Sequence, residues 1–405
     1  METITLKTGF EGLSAAQMLK LSRDRPAYFY SRHQIRAQIA SFRKTMPKDT
    51  RLAYSVKANP FSPLVQYVAN LVDGVDVTSY NEMVTCLNAG VPAQAIMFAG
   101  PAKKTYELQA AIALGVRISV ESVNELQRIT DIAEIAGIHA HVLLRVNPQI
   151  SLRGASMRMG GAPTQFGIDE TNLNKAWHLL RQHALRFSGI HIYWGSQCLS
   201  AKAITEAQRV SVDLVEKISS QFPAPPEKIN LGGGFGVPYF HNDTPLDIKA
   251  VGEGFAPLKE RLSTQFPSAD VFIELGRYLV CEAGIYVCQV IDIKQSHGKN
   301  YIVTDGGLHH FLAATGNFGQ KIRRNFCLST IPLASQLMVQ HKSKNITNFE
   351  VVGALCTPID LLGHNLQGPT IKIGDLMVVH CAGAYGRSAS PIDFLSHDYP
   401  GEYLI

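Results

Sequence analysis

Between about residue 50 and residue 276 the chain alternates short apolar runs with amphipathic stretches, and this alternation limits the possible folds more than any other feature. Candidate strands fall at 52–56, 74–79, 95–100, 117–120, 140–146, 187–194, 228–233 and 271–276. Between most of them lie helix-patterned stretches such as 80–89, 104–114, 122–136 and 201–221. A strand followed by a crossover helix returns as a parallel neighbour, so the pattern predicts a parallel sheet covered by helices. Eight such strands predict a closed (β/α)8 barrel of the TIM type.

Beyond residue 277 the pattern changes. YLVCEAGIYVCQVIDI, NYIVTDGG, FEVVGALC and DLMVVHCAGAY read as strands with little helix between them. The expected organisation is an α/β chain of two domains. A barrel spans 27–276, and a β-rich barrel or sandwich is made from 277–405, joined by 1–26. A length of 405 residues accommodates both. Hydrophobic residues at 46% and charged residues at 18% suit a large core. The net charge of +5 is mild and scattered, which gives no argument for nucleic acid. No apolar stretch approaches the ~20 residues of a membrane helix. The start, METITLKTGF, has no apolar signal core, and the seven cysteines form no CxxC pair. The expectation is a reduced, cytoplasmic protein. No metal site is expected, because the adjacent His309 and His310 do not share a chelating helix face.

Barrel enzymes place their active sites at the C-terminal ends of the strands, so polar residues there are the candidates. Lys57 closes the first apolar strand, in AYSVKANP. It is either a rim lysine reaching solvent or a desolvated amine, whose lowered pKa suits it to Schiff-base chemistry. The sixth strand ends in Gly195-Ser196-Gln197 and the seventh in Gly232-Gly233-Gly234-Phe235-Gly236. Such glycines either make tight turns or let backbone N–H groups close around an anion, and barrel phosphate sites favour this region. The eighth strand carries Glu274, Gly276 and Arg277. A carboxylate in a barrel mouth needs a cationic partner, which a protonated pyridine nitrogen would supply. In the β-rich part, Cys356 is either core filler or reactive, and Tyr385 is either a packed ring or a ligand contact.

YSVKANP, HIYWGSQ, NLGGGFG, IELGR, GALCTPID and GAYG, in this order, resemble the fold-type III pyridoxal 5′-phosphate (PLP) decarboxylases. That group includes ornithine, arginine and diaminopimelate decarboxylases, and the likeness covers nearly the whole chain. It implies a homodimer with active sites at the subunit interface. It implies that Lys57 carries PLP and that Ser196, Gly233, Gly234, Arg277 and Tyr385 hold the phosphate region. Glu274 would face the pyridine nitrogen, and Cys356 would reach in from the partner subunit to return a proton. Thr357 and Asp360 would lie toward the substrate.

Three departures bear on the substrate. The family usually stacks a histidine on the cofactor, two residues before the Gly-Ser pair; here that residue is Tyr193. The family often has Asp or Glu directly after the cysteine, to bind a distal amine; here it is Thr357. The Arg-Pro…Tyr segment of diaminopimelate decarboxylases is replaced by DGGLHHFLAATGNFGQKIRRN. With RMGGAPTQFGID and SPIDFLSH, these features resemble the branch of glutamyl–carrier-protein and exosortase-associated decarboxylases. The implied substrate is an amino acid with a neutral or conjugated distal end, which an acyl carrier protein could deliver. The alternatives are a decarboxylase of free diaminopimelate, lysine or ornithine, an amino-acid racemase, and a catalytically silent PLP-binding regulator. Racemases of this fold place an arginine at the pyridine nitrogen, which Glu274 opposes.

Overall fold

The computed structural model describes residues 2–149, 157–158, 161, 163–182, 185–320, 322–333 and 346–405. Met159, Gly160 and Ala162 of RMGGAPTQFGID, and Lys321 of the KIRRN segment, lie outside the described residues. The chain forms two compact units.

The first unit comprises 36–237 and 244–279. Its strands are β1 (Arg51–Ser55), β2 (Gly74–Val77), β3 (Ile96–Phe98), β4 (Arg117–Val120), β5 (His141–Asn147), β6 (Arg186–His191), β7 (Lys228–Gly233) and β8 (Asp270–Leu275). Each pairs in parallel with the next, from β1–β2 through β7–β8. Phe272 opposite Arg51 then closes the ring, so the barrel leaves no open edge. The eight expected strands stand, most of them ending a residue or more earlier at the barrel top. Nearly every strand residue is buried, because the barrel interior covers one face and the helices the other. Helix starts follow their caps: Ser79 accepts from Glu82 N, and Ser122 from Glu125 N.

The second unit comprises 1–35, 238–243 and 280–405 and holds a ten-stranded mixed sheet. The 13-residue strand Gly284–Ser296 is its spine, pairing with Lys299–Thr304, Leu376–Val379 and Ala27–Tyr30. The structure therefore moves the expected boundary at residue 27. Ala27–Tyr30 runs antiparallel to Gly284–Val287 and parallel to Gly401–Leu404, with all four residues buried. Phe29 packs with Ile285, Val287, Leu376 and Val378 in one apolar cluster. Residues 238–243, inside the expected barrel span, also belong to this unit, and 277–279 belong to the barrel unit. Among the described residues, no helix is long and apolar enough to cross a membrane.

Candidate active site

Lys57 lies in a single 3-10 turn, Val56–Ala58, at the top of β1. The Tyr54 hydroxyl donates to Asn59 O at 2.9 Å, and Asn59 Oδ1 accepts from Phe61 N at 3.1 Å, fixing the turn. Lys57 Nζ stands 3.4 Å from Asp76 Oδ2 on β2 and 3.8 Å from Glu274 Oε1 on β8. Both carboxylates are almost fully buried, at 1% and 2% exposure, whereas the lysine side chain is 32% exposed. The amine thus rests on a buried acidic floor and stays accessible.

Two buried carboxylates beside one ammonium cannot ionise equally. Burial and the charge of Glu274 push Asp76 well above the usual carboxylate range. Burial works the same way on Glu274, but its partners outweigh it and hold this carboxyl low. Those partners are the His191 ring with Nε2 at 3.4 Å, the charge of Lys57, and the Ser55 hydroxyl donating at 2.9 Å. Asn230 Nδ2 donates to Oε2 at 3.2 Å. Burial lowers the His191 pKa, and its Nδ1 lies 2.8 Å from the Ser119 hydroxyl. With Nδ1 on the Ser119 hydroxyl, Nε2 is the ring nitrogen that faces Glu274. Glu274 is therefore the member of the pair that ionises more readily inside the barrel mouth, and Asp76 the one that keeps its proton more readily.

The glycine segments sit on the same rim. Gly195–Ser196 pairs antiparallel with Met157–Arg158, and Ser196 is buried. Gly234 adopts φ 79°, and a Cβ there would collide with the Gly195 carbonyl oxygen. A side chain at Gly233 would collide with Glu274 O. These two loops approach so closely that only hydrogen fits at Cα. Cys198 N donates to Gly234 O at 3.0 Å, and Gly236 N to Cys198 O at 2.8 Å, locking one loop to the other. Arg277 follows β8 on this rim. The Tyr193 ring centre lies 5.8 Å from Lys57 Nζ.

Lys57, Tyr193, Ser196, Gly233, Gly234, Glu274 and Arg277 thus all occur in the barrel unit, at the tops of β1, β6, β7 and β8. Cys356, Thr357, Asp360 and Tyr385 occur in the β-rich unit. Cys356 is exposed, in the loop between the strands Ile346–Val352 and Leu361–Gly368, and Thr357 is half-buried. Tyr385 is half-buried with φ 52°. Asp360 departs from the expectation. It is 3% exposed, and its oxygens accept from Leu308 N at 2.6 Å and Leu355 N at 2.8 Å. Gly307 and Gly353 pack so tightly on this carboxylate that any Cβ would strike it. Asp360 is a buried tie between two loops, with both oxygens taken up by backbone amides.

Sequence reasoning missed Asp76, Ser55, His191 and Asn230, and also the Arg145–Glu121 pair, which is 2.7 Å apart at the tops of β5 and β4. The available signal was a charge inside an apolar run, as in GVDV and HVLLRVN.

A family model for the pyridoxal-binding domain of pyridoxal-dependent decarboxylases matches residues 32–281. The chain is 36% identical over 397 residues to the Niallia circulans decarboxylase of L-glutamyl-BtrI acyl-carrier protein, covering 97% of this chain and 92% of that protein. It is 31% identical over 382 residues to the Staphylococcus aureus 2-[(L-alanin-3-ylcarbamoyl)methyl]-2-hydroxybutanedioate decarboxylase, covering 92% of each. In fold it is similar to diaminopimelate decarboxylase of M. jannaschii, with a TM-score of 0.87 at 22% identity, covering 100% of this chain and 92% of that one.

The residues present fit PLP. Glu274 offers an ionised carboxylate for a protonated ring nitrogen, Lys57 an accessible amine on the same wall, and the glycine loops a backbone cradle for a phosphate. From the matched family and the two relatives above 30% identity, the chain belongs to the ornithine/arginine/diaminopimelate decarboxylase family and is a PLP-dependent amino-acid decarboxylase.

Proposed function

We propose that the substrate is an amino acid whose distal end is neutral or conjugated, such as a γ-glutamyl thioester on a carrier protein. In this reading Lys57 is the covalent attachment point for PLP. Ser196, Gly233, Gly234, Arg277 and Tyr385 hold its phosphate. Tyr193 would hold the cofactor ring by stacking, and Glu274 would favour a protonated ring nitrogen. When bound, PLP would supply an acceptor for the electron pair released as the Cα–carboxylate bond breaks. Cys356 then returns a proton to Cα from the partner subunit of a homodimer.

The observation that carries the substrate reading is the environment of Thr357. It follows Cys356 directly and has no charge to pair with a distal ammonium. The carboxylate three residues on, Asp360, is committed to the Leu308 and Leu355 amides. The N. circulans relative, which acts on a carrier-borne glutamyl group, supports the same reading.

A diamino acid would leave its ammonium unpaired in a partly desolvated site. Losing such a pair costs a few kcal/mol, or about two decades in rate. Carbon dioxide release is to be measured from free ornithine, lysine and meso-diaminopimelate, and from neutral or conjugated analogues including a γ-glutamyl thioester. The conjugated substrates should give the higher kcat/KM. A highest value for free diaminopimelate or lysine would overturn the reading.

A further inference from the structure

We propose that Arg145 is a positioning residue for the reaction, acting through the Tyr193 ring, with Phe166 and Glu121 holding it in place. The proposal rests on the reading that Lys57 carries the cofactor and Tyr193 stacks on it.

Arg145 is 5% exposed, at the top of β5. Its guanidinium carbon lies 5.0 Å from the Phe166 ring centre and 5.8 Å from that of Tyr193, both within reach of a cation–π contact. Its Nη1 is 2.7 Å from Glu121 Oε1. Glu121 is held in turn: Oε1 accepts from Gly100 N at 2.8 Å, and Oε2 from Gly167 N at 2.8 Å. Burial opposes the charge on Glu121, but Arg145, Lys103 and the Gly100 amide together keep its carboxyl below the usual range. A second buried pair, Lys103 with Glu125 at 2.8 Å, joins the first where Glu121 N donates to Glu125 Oε2 at 2.7 Å.

Such a network is costly to bury. Its cationic end faces Tyr193, the residue that replaces the family's histidine. The ring is confined from another direction by Gly232, where a Cβ would fall 2.7 Å from Tyr193 Cδ2. Tyr193 therefore has Lys57 5.8 Å from its centre, Arg145 at the same distance, and a wall at Gly232. A guanidinium fixed by a bidentate backbone-anchored carboxylate sets the tilt of a ring better than a mobile side chain would.

The test is a double-mutant cycle on the full-length protein, reading PLP affinity and the visible circular dichroism of bound PLP. Tyr193→Phe keeps the ring and should stay within about three-fold of wild type, whereas Tyr193→Ala should weaken PLP binding roughly ten-fold. Arg145→Met should weaken it roughly five- to ten-fold in the wild type, but less than about two-fold when Tyr193 is already alanine. Its dichroism should change in the same sense as that of Tyr193→Ala. Equal losses in both backgrounds would overturn the proposal, since Arg145 would then act on the cofactor or the fold directly. Arg145→Met strands Glu121, so Phe166→Leu provides a milder arm that leaves the ion pair whole. It should show the same dependence on Tyr193, and additivity there would equally overturn the proposal. Lys57→Ala is run alongside. Borohydride-fixable PLP on that variant would refute the Lys57 reading, whatever the cycle shows.

Discussion

Asp360 shows how a single carboxylate can serve two loops. Its two oxygens take the Leu308 and Leu355 amides, and glycines at 307 and 353 let the backbone close over it. Asp360→Ala would leave both donors buried and unpaired, at about 1–3 kcal/mol each. The melting temperature should fall by several degrees while KM changes less than about two-fold. Calorimetry and steady-state kinetics on the same preparation check this, and a large KM rise at unchanged stability would return Asp360 to the substrate site. The family resemblance, through GALCTPID, placed this residue toward the substrate. Its true partners are backbone amides, which leave no trace in a side-chain pattern. Asp76 escaped notice for a related reason. A carboxylate in GVDV announces a buried charge but not which lysine it faces.

At the scale of elements, the segment Gly306–Phe311 puts two buried histidines side by side, with ring centres 3.8 Å apart. His310 bridges the Tyr286 hydroxyl at 3.0 Å and Asp398 O at 2.9 Å. His309 is fully buried, with neither ring nitrogen hydrogen-bonded among the described residues. Burial, with the charge of His397, holds His309 down to about 4, and burial with the neighbouring His309 holds His310 to about 3. Both are therefore neutral in the fold at pH values where the unfolded chain protonates them. The unfolded state binds more protons from about pH 6.5 down to about pH 4, so stability rises with pH through that window and is lost as pH falls. His309→Phe should remove its share, about 2 kcal/mol of the loss between pH 7 and pH 5. Denaturant unfolding at the two pH values measures it, and an unchanged difference would show that His309 contributes nothing to the acid limb.

The eight barrel strands were legible because each is a short apolar run set off by a helical pattern, and parallel strands buried on both faces produce that signal. Ala27–Tyr30 was not. A four-residue apolar run looks the same in a barrel and in an antiparallel sheet, and only its pairing with Gly284–Val287 distinguishes them. The glycine loops and Glu274 were legible by position at the strand tops. The network behind Tyr193 was not, since Glu121, Arg145 and Phe166 come from three separate segments that meet only through strand pairing at the top of the sheet.

At the scale of the whole molecule, the proposed function requires Lys57 of one subunit and Cys356 of its partner to serve one reaction. Mixing Lys57→Ala with Cys356→Ala, each nearly inactive, should then restore about a quarter of wild-type activity. That figure comes from random exchange giving one intact site of two in half of the dimers. Assays before and after exchange, with exchange proven by mass-tagged subunits, check the figure. No recovery would place both residues in one subunit's site or remove Cys356 from catalysis. The pairing of Ala27–Tyr30 with Gly284–Val287 on one side and Gly401–Leu404 on the other has a consequence during synthesis. The AYFY strand is synthesised well before either of its neighbours, and the second of them follows the first by more than a hundred residues. The barrel's own segments, 36–237 and 244–279, are complete long before that. Until those neighbours are made, a strand of three aromatic rings has both edges unsatisfied, the kind of segment that aggregates if nothing shields it. The order in which this one sheet is assembled therefore sets how long that strand needs shielding.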